Sequence, residues 1–119
     1  MKYWGFVVAV LLLVALKTQA AFIEGLEDIP AMDGLTQVEN GNLSFGNEEI
    51  RLVEVYFTSK TLKFYDVKAF YEATLPQLGW AKKNSGKRKS SFEREGEILE
   101  ISEETPSPLI VRITVKSKN

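Results

Sequence analysis

The chain has 119 residues, with 15 basic against 16 acidic side chains, 45% hydrophobic residues, no cysteine and no histidine. That composition excludes disulfides, zinc sites of the usual kind, every catalytic arrangement built on His or Cys, and a lipid anchor carried on cysteine. A near-neutral balance makes a poor nucleic-acid binder, since such binding needs a concentrated basic surface, so no nucleic-acid partner is expected.

In chain order the first element is a positive start at Lys2, an unbroken apolar run from Phe6 to Leu16, and Lys17-Thr18-Gln19-Ala20. This three-part build predicts a secretory signal peptide over 1–20, cut after Ala20. The run is too short for a spanning helix, which needs roughly 20 apolar residues. Contact with a membrane is therefore expected only through an uncleaved signal segment. The mature chain would carry 13 bases and 16 acids, a formal charge of −3, and would be periplasmic or secreted.

Residues 21–40 form a leader strip. Ile23, Leu26, Ile29, Met32, Leu35 and Val38 recur every three positions, while Gly25, Pro30 and Gly34 oppose a helix. The spacing predicts an extended or polyproline-like strip that is apolar along one edge. It either lies across its own domain or docks on another protein.

Residues 41–119 read as one α+β domain. Asn40-Gly41-Asn42 is a turn signal, Leu43–Phe45 a short strand, and Glu49–Thr58 the clearest strand. Asp66 is the expected cap of a helix over Val67–Leu78, whose stripe is Val67, Phe70, Tyr71, Thr74 and Leu78. Pro76 should distort its last turn and Gly79 should stop it. Four β segments follow, over Trp80–Asn84, Arg88–Arg94, Glu97–Ser102 and Leu109–Lys116, and the last alternates strictly. Strand, helix and four-strand meander predict an antiparallel sheet of about five strands with one helix packed on one face.

Chemistry is sparse. Lys82, Lys83, Lys87, Arg88 and Lys89 form the densest charge cluster and are a candidate anion patch, or else a solvated hairpin tip. If the helix covers the Val53-Val55-Phe57 face, then Leu52, Tyr56, Ile98 and Ile110 are apolar on the opposite face. They form a candidate interaction surface unless the leader strip covers them. Glu54 and Glu100 could meet on that face, but an ion pair with Arg112 is the ordinary reading of such neighbours. The spacing Ser-x-x-Lys, phosphate loops and calcium loops are absent, so catalytic, metal and cofactor residues are expected to be none. The aromatics Phe64, Tyr65, Phe70, Tyr71 and Trp80 flank the helix and suit core packing, or a pocket between helix and sheet.

Three stretches carry a likeness: Val67–Trp80, Phe92–Ile101 and Leu26–Leu35. Together they resemble small uncharacterised exported proteins of Gram-negative bacteria. More loosely, a helix ending in Leu78-Gly79-Trp80 before a β meander is similar to the helix-grip domains of envelope lipoproteins in the outer-membrane barrel assembly machinery. The expectation is a non-enzymatic, periplasmic interaction module of the cell envelope whose partner is an envelope protein. The alternatives are a carboxylate-dependent hydrolase of cell-wall material, or a carrier of a small apolar ligand.

Overall fold

The computed structural model describes residues 22–46 and 51–118; the expected signal segment, the expected Gly46-Asn47 turn and the expected strand start at Glu49 lie wholly or partly outside them. No helix among the described residues is long and apolar enough to cross a membrane.

A two-stranded hairpin, β1 (Phe22–Ile23) and β2 (Leu26–Pro30), precedes β3 (Thr36–Gly46) and β4 (Arg51–Ser59). Helix α1 (Phe64–Thr74) runs into a 3₁₀ turn (Leu75–Leu78), and β5 (Ala81–Ser85), β6 (Lys89–Arg94), β7 (Glu97–Pro106) and β8 (Leu109–Ser117) complete the chain. β3 to β8 form one antiparallel sheet in the order β3-β4-β8-β7-β6-β5. The meander thus returns its last strand to the side of β4, and the fold is α+β with six strands in the main sheet.

Alternation does the sorting. Val53, Val55 and Phe57 face Val115, Ile113 and Val111 across the β4–β8 ladder, and Leu99 and Ile101 continue the rows on β7. All eight are buried and share one core with α1. Side chains of a strand point alternately to opposite faces, so Leu52, Glu54 and Tyr56 stand on the other side.

The helix starts one turn earlier than its sequence suggests. Lys63 is the extended N-cap residue (φ −108°, ψ 162°), and the Asp66 carboxylate accepts the Lys63 N–H at 2.9 Å. Asp66 is therefore the third helical residue, serving the reciprocal half of a capping box rather than the cap itself. The buried stripe becomes Phe64, Val67, Tyr71 and Leu75. Leu78, expected inside, is 41% exposed, and Phe70 is only partly buried. Pro76 has no N–H to give, the last turn tightens to 3₁₀, and Gly79 at φ 93° reverses the chain before Leu78 can turn inward.

The leader is neither polyproline-like nor a cover for the open face. Ile23 pairs with Leu26 across a two-residue turn at Glu24-Gly25, so their spacing of three puts both on one side of a β-hairpin. Ile23, Leu26 and Ile29 join the core on the helix side of the sheet. The strip's remainder enters the main sheet: Thr36, Gln37 and Val38 pair with Thr58, Phe57 and Tyr56. Asn40-Gly41-Asn42 is not a turn between strands but falls within a bulge of edge strand β3, between Val38↔Tyr56 and Leu43↔Glu54. Gly34 (φ 95°) holds the intervening loop close, since a Cβ there would lie 2.9 Å from Leu62 Cδ1.

Candidate functional site

At one end of the sheet, the β4–α1 loop, the β5–β6 tip and the β7–β8 turn surround a trough of about 860 Å³. Local hydrogen bonds set each wall. Ser59, the last residue of β4, is buried, and its Oγ accepts the N–H groups of Thr61 and Leu62 at 3.2 and 2.9 Å. This serine turn aims Lys60 outward and Leu62 inward toward Gly34 and the core. The Thr58 hydroxyl donates to the Leu109 carbonyl (2.9 Å), and the Thr105 hydroxyl donates to the Pro108 carbonyl (2.6 Å), which closes the β7–β8 turn. On the third wall the Glu103 N–H donates to the Arg88 carbonyl, and Arg88 Nε reaches Glu103 Oε1, each at 2.9 Å.

The lining combines apolar and cationic groups. Leu62, Pro106 and Pro108 are apolar, with the nearly buried Phe64 and Leu109 beneath. Tyr65 stands at the rim, 79% exposed. Five cations, Lys60, Lys63, Lys68, Lys87 and Arg88, meet one carboxylate, Glu103. Arg88 is taken by Glu103, and Lys68 Nζ lies 4.0 Å from Glu72. Lys60, Lys63 and Lys87 have no carboxylate partner among the described residues.

The candidate anion patch is dispersed rather than concentrated. Lys82 goes to Glu72 (3.7 Å), Lys83 to Glu93 (3.8 Å), Arg88 to Glu103 and Lys89 to Glu100 (2.6 Å). Successive strand residues point to opposite faces, so the cluster splits between the helix side and the open side. Of these five, Lys87 alone has no carboxylate partner among the described residues, and it belongs to the trough. Burial opposes the charge on Glu72, but hydrogen bonds from Ser90 (2.6 Å) and Ser85 (2.8 Å), with Lys82 and Lys68 beside them, hold its carboxyl below the usual range.

Leu52, Tyr56, Ile98 and Ile110 do share the open face, each half-buried, but they make no continuous apolar patch. Lys116 stands between Leu52 and Ile98 in one cross-strand row. Glu54 separates Leu52 from Tyr56 along β4, and Arg112 flanks Tyr56. The Tyr56 hydroxyl donates to Glu54 at 2.5 Å, a bond that raises its pKa. Arg112 joins Glu54 (3.5 Å) to Glu104 (2.9 Å), and Glu100 is shared by Lys89 and Lys116. The leader hairpin packs on the other face, so this surface is covered by its own ion pairs.

Glu54 and Glu100 face the same β8 residue, Thr114, from either side. Two strand spacings put them roughly 10 Å apart. The hydrogen bond from Lys89 holds Glu100 below the usual carboxylate range, whereas a general acid needs the opposite shift. Among the described residues no group of acids is placed to hold a metal ion.

The trough was legible only in pieces. Lys87 and Arg88 belong to the hairpin cluster along the chain, while Lys60 and Lys63 lie far from it in sequence. Basic residues bracketing a tyrosine at a helix start are the signal that points to it.

No protein-family model, curated protein or solved structure matches the chain.

Proposed function

We propose that the chain is an exported, non-catalytic interaction module of the cell envelope, and that the trough is where it meets a protein partner. The observation that carries this reading is three unpaired lysines and a 79% exposed tyrosine gathered around one concavity. An unpaired charge beside apolar surface is costly to desolvate alone and is satisfied by a partner of opposite sign. Aromatic rings at a rim supply large contact area on binding. On the open face the described charges of Glu54, Glu100, Arg112 and Lys116 are paired with one another or with neighbours. The signal segment supports an envelope location.

Photo-crosslinking in intact envelopes tests the reading. A photoreactive residue replacing Tyr65 should give a discrete adduct whose partner is identified by mass spectrometry, while one replacing Thr114 on the open face should not. The reading fails if Tyr65 gives no adduct or if both positions give the same spectrum. Export is tested by intact mass: the native product should begin at Ala21, and a full-length mass in the membrane fraction would overturn it.

A further inference from the structure

We infer that the occupant of the trough is an extended stretch of the partner protein in which acidic and apolar residues alternate, an inference that rests on reading the trough as the partner site. Charge complementarity comes first. Five cations against one carboxylate line the concavity, and the single acid is consumed by Arg88. The unmet charge is positive, so the ligand is anionic.

The lining then distinguishes a chain from a small ion. Lys63 is the N-cap that opens α1, while Lys68, further along the helix, is held by Glu72. Lys60 sits on the loop before them, and Lys87 comes from the opposite wall. Flexible lysine stems can bend toward one small anion, but such an ion leaves the apolar lining at Leu62, Pro106 and Pro108 uncovered, which a chain would fill. Alternate residues of an extended chain repeat at about 6.6 Å and point to one side. Their carboxylates would meet the rim lysines while the intervening side chains face the other way, onto Leu62, Pro106 and Pro108. Lysine suits this role because its ammonium is a flexible point charge that does not demand the planar geometry an arginine fork imposes.

The shape also separates a peptide from a membrane. A bilayer surface is flat on this scale and would reach the rim lysines and Tyr65 but not the floor at Leu62. The trough has depth and an apolar floor, which a peptide segment can fill.

The test uses the exported protein as isolated from cells. A fluorescein-labelled peptide alternating glutamate with leucine is titrated by anisotropy, beside the same peptide with lysine in place of glutamate. The acidic peptide should bind, more weakly as salt rises, and the basic one should not. The triple variant Lys60→Gln/Lys63→Gln/Lys87→Gln should weaken binding about five-fold or more, with an unchanged melting curve. Amide shift changes on binding should cluster at Ser59–Lys68, Lys87 and Pro106–Leu109. Equal binding of both peptides, indifference to the triple variant, or shifts that map to the open face would overturn the inference. So would lysine-dependent binding to phosphatidylglycerol vesicles without peptide binding, which would make the ligand a lipid surface. If Tyr65 crosslinks to a protein in envelopes while the acidic peptide does not bind, the alternating-acid inference falls and the module reading stands; with neither result, both fall.

Discussion

The Tyr71 hydroxyl donates to the Pro30 carbonyl at 2.8 Å, a buried bond across 41 residues that ties the leader hairpin to the helix. Both residues are buried, and burial pushes the Tyr71 phenol well above its ordinary pKa, so it stays a donor. Tyr71→Phe leaves the Pro30 carbonyl without this partner and should cost about 1–3 kcal/mol. Tyr71→Ala removes the ring as well and should cost about 3–5 kcal/mol. Urea midpoints measure both. Deleting residues 22–30 should expose the same surface and raise binding of a hydrophobic dye; a deletion mutant with the parental midpoint would show that the hairpin is not part of the core.

Arg94 also holds the hairpin, at Asp28 in the middle of β2. Its guanidinium lies 4.4 Å above the Trp80 ring, donates to the Leu78 carbonyl at 3.0 Å and pairs with Asp28 at 2.5 Å. Arg94→Ala should destabilise by about 2–3 kcal/mol through the lost ring contact and hydrogen bonds, and should redden the Trp80 emission. Asp28→Asn touches only the exposed partner and should cost under about 1 kcal/mol. Lysine at 94 cannot stack and fork together, so Arg94→Lys should resemble Arg94→Ala more than wild type. Thermal melts of the three variants rank them.

The phase of the helix end is open to direct measurement. Leu75 is fully buried and Leu78 is 41% exposed. Leu75→Ala should cost about 2–5 kcal/mol and Leu78→Ala under about 1 kcal/mol. Phe70, partly buried and edge-on to Tyr71 at 4.9 Å, should fall between them. Equal chemical-denaturation midpoints for Leu75→Ala and Leu78→Ala would place the stripe wrongly.

Acid should weaken the fold through Glu100 and Glu72. Both carboxyls are held below their ordinary value of 4.5, Glu100 chiefly by Lys89 and Glu72, against burial, by Ser90 and Ser85. A depressed folded pKa means that the stabilisation is fully present above about pH 4.5 and is lost as pH falls through the folded values. Denaturant midpoints should be flat from pH 7 to about 5 and drop below that. Glu100→Gln should start from a lower midpoint and lose less on acidification.

Much of the architecture was readable from the linear pattern. β8 alternates Leu109, Val111, Ile113 and Val115 with Ile110, Arg112, Thr114 and Lys116, and strand geometry turns that order into one buried and one open face without further information. Pro76 and Gly79 act on their own backbone, so the tightened last turn and the left-handed stop were also local. The helix start was not, because Asp66 serves equally well as a cap or as the third residue, and only the burial of Phe64 decides between them.

What tertiary structure alone decided is which surfaces meet. A spacing of three in the leader is compatible with an extended strip or with a hairpin, and the side of the sheet that receives Ile23, Leu26 and Ile29 depends on space left beside α1, Trp80 and Phe92. The same holds for charge. Lys82, Lys83, Lys87, Arg88 and Lys89 are neighbours along the chain, yet the pleat and the opposing strands send four of them to separate acids. Lys60 and Lys87 stand 27 residues apart and meet at one trough because β8 returns beside β4 and brings the β7–β8 turn against the β4–α1 loop. Sequence determines which side chains prefer burial and which turns form, since those are short-range effects; ladder closure determines which unpaired charges end up together, since that is a property of strand order.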